Sequence, residues 1–219
     1  MKVVEIFKSI DGEGTRAGFP VTFIRLFGCN LNCSYCDSRY ACEETDGTVY
    51  TEMTVDEIFN QVYKMGCQRI TLTGGEPLIH TDVMKLIDKL TNNNFKVNIE
   101  TNGSVNIFPF LNGAKNDKRL IFTVDYKCPT SGEESKMELQ NLKYLRMQDV
   151  LKFVVGSKED LDVCRSLRQY TDAQVFISPV FGKIEPKEIV EYMLEHDMED
   201  CRIQIQMHKV IWNPEMRGV

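Results

Sequence analysis

The sequence predicts an α/β fold: a mostly parallel sheet bent into a barrel or a strong curve, with helices outside it. Three observations predict this. Strand-like and helix-like segments alternate along the chain, the strands carry one apolar and one polar face, and the polar groups gather toward the strand C-terminal ends. Repeated βα units make a parallel sheet. Parallel strands covered on both faces are apolar throughout, and these are not, so the polar face surrounds a cavity. In α/β barrels the active site lies at the C-terminal ends of the strands. A doubly wound open sheet is the alternative, and it leaves the inward polar groups without a purpose.

The elements follow in chain order. Val21–Phe27 is a strand with Val21, Phe23, Arg25 and Phe27 on one face and Ile24 and Leu26 on the other. Thr54 with Glu57 forms a capping box before the helix IFNQVYKM. Arg69–Thr73 is the next strand, with Thr71 and Thr73 sharing a face, and Thr81 caps the helix DVMKLIDKL. Lys96–Thr101 leads into Asn102, with Asn98 and Glu100 on the polar side. Leu120–Tyr126 places Thr123, Asp125 and Lys127 together. Val150–Val155 is followed by Ser157 and Asp160, which resemble a capping box before LDVCRSL. Gln174–Ser178 precedes a helix that has Pro186 in its first turn, where proline is tolerated. Arg202–Met207 is the last strand, with Gln204, Gln206 and His208 on one face.

The 219 residues, 42% of them apolar, suffice for one domain with a substantial core, expected to span 1–219. No run approaches the ~18 consecutive apolar residues of a membrane span. MKVVEIFKSIDGEG lacks the basic start, long apolar run and small-residue cleavage site of a signal peptide. The expectation is a soluble, cytoplasmic protein. A net charge of −6 gives no basic face, which argues against nucleic acid or a membrane as partner.

Eight cysteines in a chain of this kind point away from disulfides. Cys42, Cys67, Cys128, Cys164 and Cys201 are scattered and read as reduced, mostly buried side chains. Cys29, Cys33 and Cys36 differ. They form C-x3-C-x2-C in a loop directly after the first strong strand, where Gly28, Asn30 and Asn32 tolerate unusual backbone angles. A structural zinc site needs a fourth ligand, for which Cys42 and His80 are candidates. A thioredoxin-like pair uses Cys33 and Cys36 and leaves Cys29 idle. Unengaged buried thiols are the bland alternative. Four-cysteine ferredoxin clusters have no open iron. A [4Fe–4S] cluster on three thiolates keeps one iron open for a cofactor.

The cysteine loop resembles that of the radical S-adenosylmethionine (SAM) superfamily. TLTGGEP, Thr71–Pro77, resembles the superfamily's GGEP segment, and ETNG, Glu100–Gly103, another recurrent strand end. EIFKSIDGEGTRAGFPVTFIRLFGCNLNCSYCDS is similar to the N-terminus of the 7-carboxy-7-deazaguanine synthase (QueE) family, and HKVIWNPEMRGV to its tail. Asp11 stands where that family usually has Gln.

The resemblance implies a partial or modified (βα)6-type barrel, a radical SAM core with some helices abridged, acting as a homodimer. It implies Mg²⁺-dependent ring contraction of 6-carboxy-5,6,7,8-tetrahydropterin to 7-carboxy-7-deazaguanine with release of ammonia, serving queuosine or deazapurine synthesis. An electron donor such as flavodoxin or ferredoxin is implied too. Cys29, Cys33 and Cys36 become the cluster ligands. Tyr35, Cys36, Asp37, Gly75, Glu76, Asp125, Tyr126, Lys127 and Ser178 become the SAM contacts. Ile10, Asp11, Gly12, Glu13, Arg25 and Thr73 become the substrate contacts, and Ser38 a Mg²⁺ ligand, since Mg²⁺ takes hard oxygens and keeps several waters. Arg25 has two readings: an internal salt bridge to Glu100 or Glu13, or a bidentate grip on the substrate carboxylate. Asp125 is otherwise a solvated strand-end charge and His208 a satisfied histidine. The competing functions are an activating enzyme for a glycyl radical protein and a non-catalytic iron–sulfur sensor. SIDGEG and Arg25 argue against the first, and intact GGEP and ETNG segments against the second.

Overall fold

The computed structural model describes residues 1–44, 49–111, 117–214 and 216–219. Nine strands form one sheet: β1 (Lys2–Ile10), β2 (Pro20–Leu26), β3 (Thr51–Glu52), β4 (Arg69–Gly74), β5 (Lys96–Thr101), β6 (Leu120–Tyr126), β7 (Val150–Val155), β8 (Gln174–Pro179) and β9 (Cys201–Ile203). The helices are α1 (Val55–Met65), α2 (Val83–Asn92), α3 (Phe108–Leu111), α4 (Asn141–Tyr144), α5 (Lys158–Leu167), α6 (Pro186–Glu195) and α7 (Met207–Ile211). Among the described residues the strand order is β3-β1-β2-β4-β5-β6-β7-β8-β9. From β2 through β9 every neighbour in that order is parallel, while β1 and β3 pair antiparallel. Among the described residues the two ends of the sheet do not pair, so the barrel is open. The expected α/β class holds, and the abridgement falls on α3 and α4, each four residues long.

Alternation decides which face is which. Ile70 and Leu72, Val97 and Ile99, Phe122 and Val124, Leu151 and Phe153, and Val175 and Ile177 join one core with Ile58, Val62, Leu86, Leu90, Leu161 and Ile189 of the long helices. Side chains at the intervening positions point to the opposite face. There lie Thr71, Asn98, Thr123, Lys152 and Ser178, all buried. The loop between β1 and β2 explains how a polar face stays buried. Arg16 donates to the carbonyls of Ile70 and Lys96, at the start of β4 and β5. Glu13, three residues earlier, meets Lys152 of β7 and Ser178 of β8. One short loop touches both halves of the sheet, so the sheet curves around it and the loop plugs the chamber.

Several sequence expectations need correcting. β1 was not among the expected strands, because its residues are mostly half-buried without a clean period of two. The last strand stops at Ile203 rather than Met207. Gln204 turns inward, its Oε1 accepting from Gly14 N at 2.7 Å, and Met207 N donates to the Gly12 carbonyl. The tail thus leaves the sheet to bind the plug. The capping box at Thr54 and Glu57 is present, and Ser157 accepts from Asp160 N. Thr81 does not cap α2; Asp82 takes that position, and the His80 carbonyl already satisfies Val83 N. Among the described residues no helix is long and apolar enough to cross a membrane.

Candidate active site

The loop after β2 carries Cys29, Cys33 and Cys36 at the C-terminal mouth of the chamber. Gly28 opens it with φ +105°, a conformation that favours glycine. The end of β4 presses against it. Gly75 N donates to the Leu26 carbonyl and Glu76 N to the Gly28 carbonyl. A Cβ on Gly74 would lie 2.2 Å from the Leu26 carbonyl oxygen, and one on Gly75 would lie 2.3 Å from that of Gly28 and 2.8 Å from the Cys29 Cβ. Both glycines are required by this contact, which joins the GGEP segment to the cysteine loop. Glu76 is fully buried. Its carboxylate accepts from Leu78 N, Thr101 Oγ1 and Asn102 N, so it buckles β4 to the end of β5. Burial pushes its pKa up to about 7 against those donors.

The Cys29 thiol faces two donors. Leu31 N lies 3.5 Å and Asn102 Nδ2 3.6 Å from the Cys29 Sγ. Cys42, a candidate fourth zinc ligand, lies beside the loop with its Sγ 3.7 Å from that of Cys36. Its thiol holds Cys29 and Cys36 down to about 6, against burial, and burial pushes Cys33 up to about 11. His80 turns to the Phe27 carbonyl instead. Among the described residues no three His, Cys, Asp or Glu side chains converge as ligands of one ion do. A cluster bound through separate irons does not need that convergence.

Below the rim the chamber holds paired charges. The Glu13 carboxylate receives Lys152 Nζ and Ser178 Oγ, each at 2.8 Å, and Gln204 Nε2 at 3.3 Å. Burial pushes the Glu13 carboxyl up, and Lys152 with Ser178 more than reverses it. Lys127 pairs with Asp125 at 3.1 Å, and Lys152 lies 3.7 Å from the same Oδ2. The Asp125 Oδ1 is buried without a partner. Arg25 Nε donates to Glu5 Oε1 at 2.7 Å, and the Tyr40 hydroxyl to the same oxygen. The internal partner of Arg25 is therefore Glu5, its cross-strand neighbour on β1, and not Glu100 or Glu13. Glu100 is raised by burial and lies against Thr73.

The remaining predicted residues scatter in role. Asp11 is 3% exposed, and its carboxylate meets Arg16 Nε at 2.7 Å and Thr71 Oγ1 at 2.6 Å. Its N–H and carbonyl bind Phe19 and Gly18. The plug thus engages each polar atom of Asp11. Period two turns the Tyr126 ring into the helix-side core against Phe153, which leaves its backbone at the strand end facing the site. Ile10 ends β1, and His208 packs against Gly12, where a Cβ would lie 2.5 Å from its Nδ1. The Tyr35 hydroxyl reaches the Val154 carbonyl, and Asp37 pairs with Lys209 of α7 at 3.3 Å. The Ser38 hydroxyl leans on Cys36. Sequence reasoning missed Lys152, although a lone lysine in VLKFVV is a readable signal of a buried, paired charge. It also missed Glu5 and Arg16, whose partners are set by the curvature of the sheet.

A family model described as the radical SAM superfamily matches residues 23–124. The 7-carboxy-7-deazaguanine synthase of Clostridium acetobutylicum is 45% identical over all of this chain and 99% of its own length. The chain belongs to the 7-carboxy-7-deazaguanine synthase family of radical SAM enzymes. The Methanospirillum hungatei 7-carboxy-7-deazaguanine synthase is 39% identical over 98% of this chain and 86% of its own. The fold is similar to the crystal structure of QueE from Escherichia coli, with a TM-score of 0.74 over 94% of each chain at 23% identity.

A radical SAM 7-carboxy-7-deazaguanine synthase requires an iron–sulfur cluster and SAM, and the residues here fit both. The donor set is three soft thiols, one of them receiving N–H groups, on a loop whose contact with β4 a Cβ would fill. The orphaned Asp125 Oδ1 is a buried acceptor beneath that loop's side of the chamber.

Proposed function

We propose that the protein converts 6-carboxy-5,6,7,8-tetrahydropterin to 7-carboxy-7-deazaguanine, releasing ammonia, as a step toward queuosine or another 7-deazapurine. The observation that supports this reading best is the seating of Gly75 on the Cys29 turn, which makes the cysteine loop and the β4 end one continuous rim over a chamber of paired charges. Cys29, Cys33 and Cys36 hold a [4Fe–4S] cluster. Tyr35–Asp37, Gly75, Glu76, Asp125, Lys127 and the 178–181 segment surround SAM, with Glu76 and Ser178 contributing backbone because their side chains are spent internally. When bound, cluster and SAM supply one-electron reduction and hydrogen-atom abstraction.

The chain's own groups bind and orient. Arg25 presents the rest of its guanidinium to the substrate carboxylate while Glu5 fixes its Nε. Gly12, Glu13 and Thr73 meet the pterin, and Asp11 with Arg16 forms the floor that excludes water. Ser38 offers one hydroxyl to Mg²⁺. Asp37 next to it is tied to Lys209, so substrate and water complete the ion's shell. One domain carries the whole reaction, in the cytoplasm, as a homodimer reduced by a flavodoxin- or ferredoxin-like donor.

The test is an anaerobic assay with SAM, a strong reductant and the carboxytetrahydropterin. Product in molar excess over SAM is expected. One 5′-deoxyadenosine per product, or SAM cleavage with no new purine-like product, overturns the reading in favour of a SAM-consuming activating enzyme.

A further inference from the structure

Three polar side chains beside the cysteine loop close a ring. Asn30 Nδ2 donates to Ser104 Oγ at 2.8 Å, Ser104 Oγ donates to Asn102 Oδ1 at 2.6 Å, and Asn102 Nδ2 donates to Asn30 Oδ1 at 3.0 Å. The orientation of the Asn102 amide is fixed independently. Its Oδ1 also accepts from Ser104 N at 3.0 Å, and a backbone N–H can only donate. The nitrogen must therefore face the cysteine loop. One of its two hydrogens serves Asn30, and the second is left toward Cys29 Sγ at 3.6 Å. Asn102 is 7% exposed, and its own N–H is anchored on Glu76 at 2.6 Å. The amide is thus held by β4, by the end of β5 and by the loop itself. A flipped amide would put an oxygen against the sulfur and set its NH2 against the Ser104 N–H, donor facing donor.

We propose that Asn102 is a positioning residue for the cluster, its amide N–H stabilising negative charge on the Cys29 sulfur and so raising the reduction potential of a cluster bound there. The inference rests on the reading that Cys29, Cys33 and Cys36 hold that cluster. Hydrogen bonds to cluster sulfurs are one of the levers that set iron–sulfur potentials. Reduction adds charge to the cluster and its thiolates, so a donor aimed at one of them favours the reduced form. Leu31 N donates to the same sulfur through the backbone and would remain in any side-chain variant. The effect of Asn102 is therefore a shift in potential, with the cluster retained. The Asn30–Ser104 pair acts one step back, by holding the amide in place.

The full-length protein, reconstituted anaerobically with iron and sulfide, is titrated with dithionite without SAM, and the reduced cluster is read by electron paramagnetic resonance. At the potential that half-reduces the wild type, Asn102→Ala should show a reduced-to-oxidised ratio roughly three- to tenfold lower, tenfold being about 59 mV for a one-electron couple. Asn102→Asp, which replaces the donor by an acceptor, should fall further. Ser104→Ala should move the same way by less. Equal ratios in wild type, Asn102→Ala and Ser104→Ala, with iron content unchanged, overturn the inference. If Asn102→Ala holds no cluster, Ser104→Ala and Asn30→Ala decide on the same readout. A wild-type protein that binds no iron overturns instead the cluster reading on which the inference stands.

Discussion

The rim and the chamber of this barrel are built from different chemistry. At the rim, around Cys29 and the ends of β4 and β5, the contacts are neutral: backbone N–H groups, the Asn102 amide, and two glycines that let strand and loop touch. The charged exceptions include Glu76, which is spent on its own chain, and Asp37, which pairs with Lys209. In the chamber the contacts are ionic: Glu13 with Lys152, Asp125 with Lys127, Arg25 with Glu5, Asp11 with Arg16. A thiolate-bound cluster already carries negative charge and is best served by dipoles. A small anionic substrate is best served by cations whose own counter-charges keep them fixed while the chamber is empty.

That division makes the two regions separately breakable. The largest effect is at the rim. Cys29→Ala, Cys33→Ala and Cys36→Ala should each reduce bound iron from about four per chain to none, whereas Cys42→Ala and Cys164→Ala should keep it. Iron and sulfide analysis after anaerobic reconstitution decides this, and loss of iron in Cys42→Ala would make Cys42 a ligand. In the chamber, Lys152→Met should cost roughly 3–5 kcal/mol in unfolding free energy, because Glu13 is left buried and unpaired. Glu13→Gln in the same chain should recover most of that. Denaturant midpoints of the three variants test it, and an additive double variant would remove the pair from the account. Smaller still, Ser38→Ala should blunt the rise of rate with Mg²⁺ by a few-fold. An unchanged Mg²⁺ response would take Ser38 out of the ion's shell.

The smallest effect concerns pH. Burial holds the Glu76 carboxyl at about 7 rather than 4.5. A carboxyl raised in the folded state favours folding at low pH, and that contribution is lost as pH rises from about 4.5 through about 7. Melting temperatures of cluster-free wild type and Glu76→Gln, compared at pH 5 and pH 8, should show the wild type losing ground to the variant at the higher pH. A constant difference would mean that Glu76 does not titrate in this window.

The sequence made the helix-side architecture readable, because alternation along β4 to β8 and the helix-start residues Thr54, Ser157 and Pro186 act locally. The rim was readable too, since its cysteine spacing and double glycine are contiguous. What stayed hidden depends on curvature. Asp11 meets Arg16 and Thr71, and Glu13 meets Lys152, only because the plug loop lies inside a sheet whose two halves face each other across it. No spacing rule along the chain reports such a contact. The strand β1 escaped for a related reason: next to the sheet's margin and mostly half-buried, it has no strict period, yet it supplies Glu5 to Arg25.

Arg25→Lys tests most directly whether rim and chamber are separate. A lysine keeps the charge beside Glu5 but cannot make the planar fork. With iron content verified, two rates are measured on the same sample: reductive SAM cleavage without pterin, and 7-carboxy-7-deazaguanine formation with it. The account predicts SAM cleavage close to wild type and product formation lower by about 100-fold, which is some 2.7 kcal/mol of lost transition-state stabilisation. Near-normal product formation, or loss of both rates together with the cluster, would contradict it.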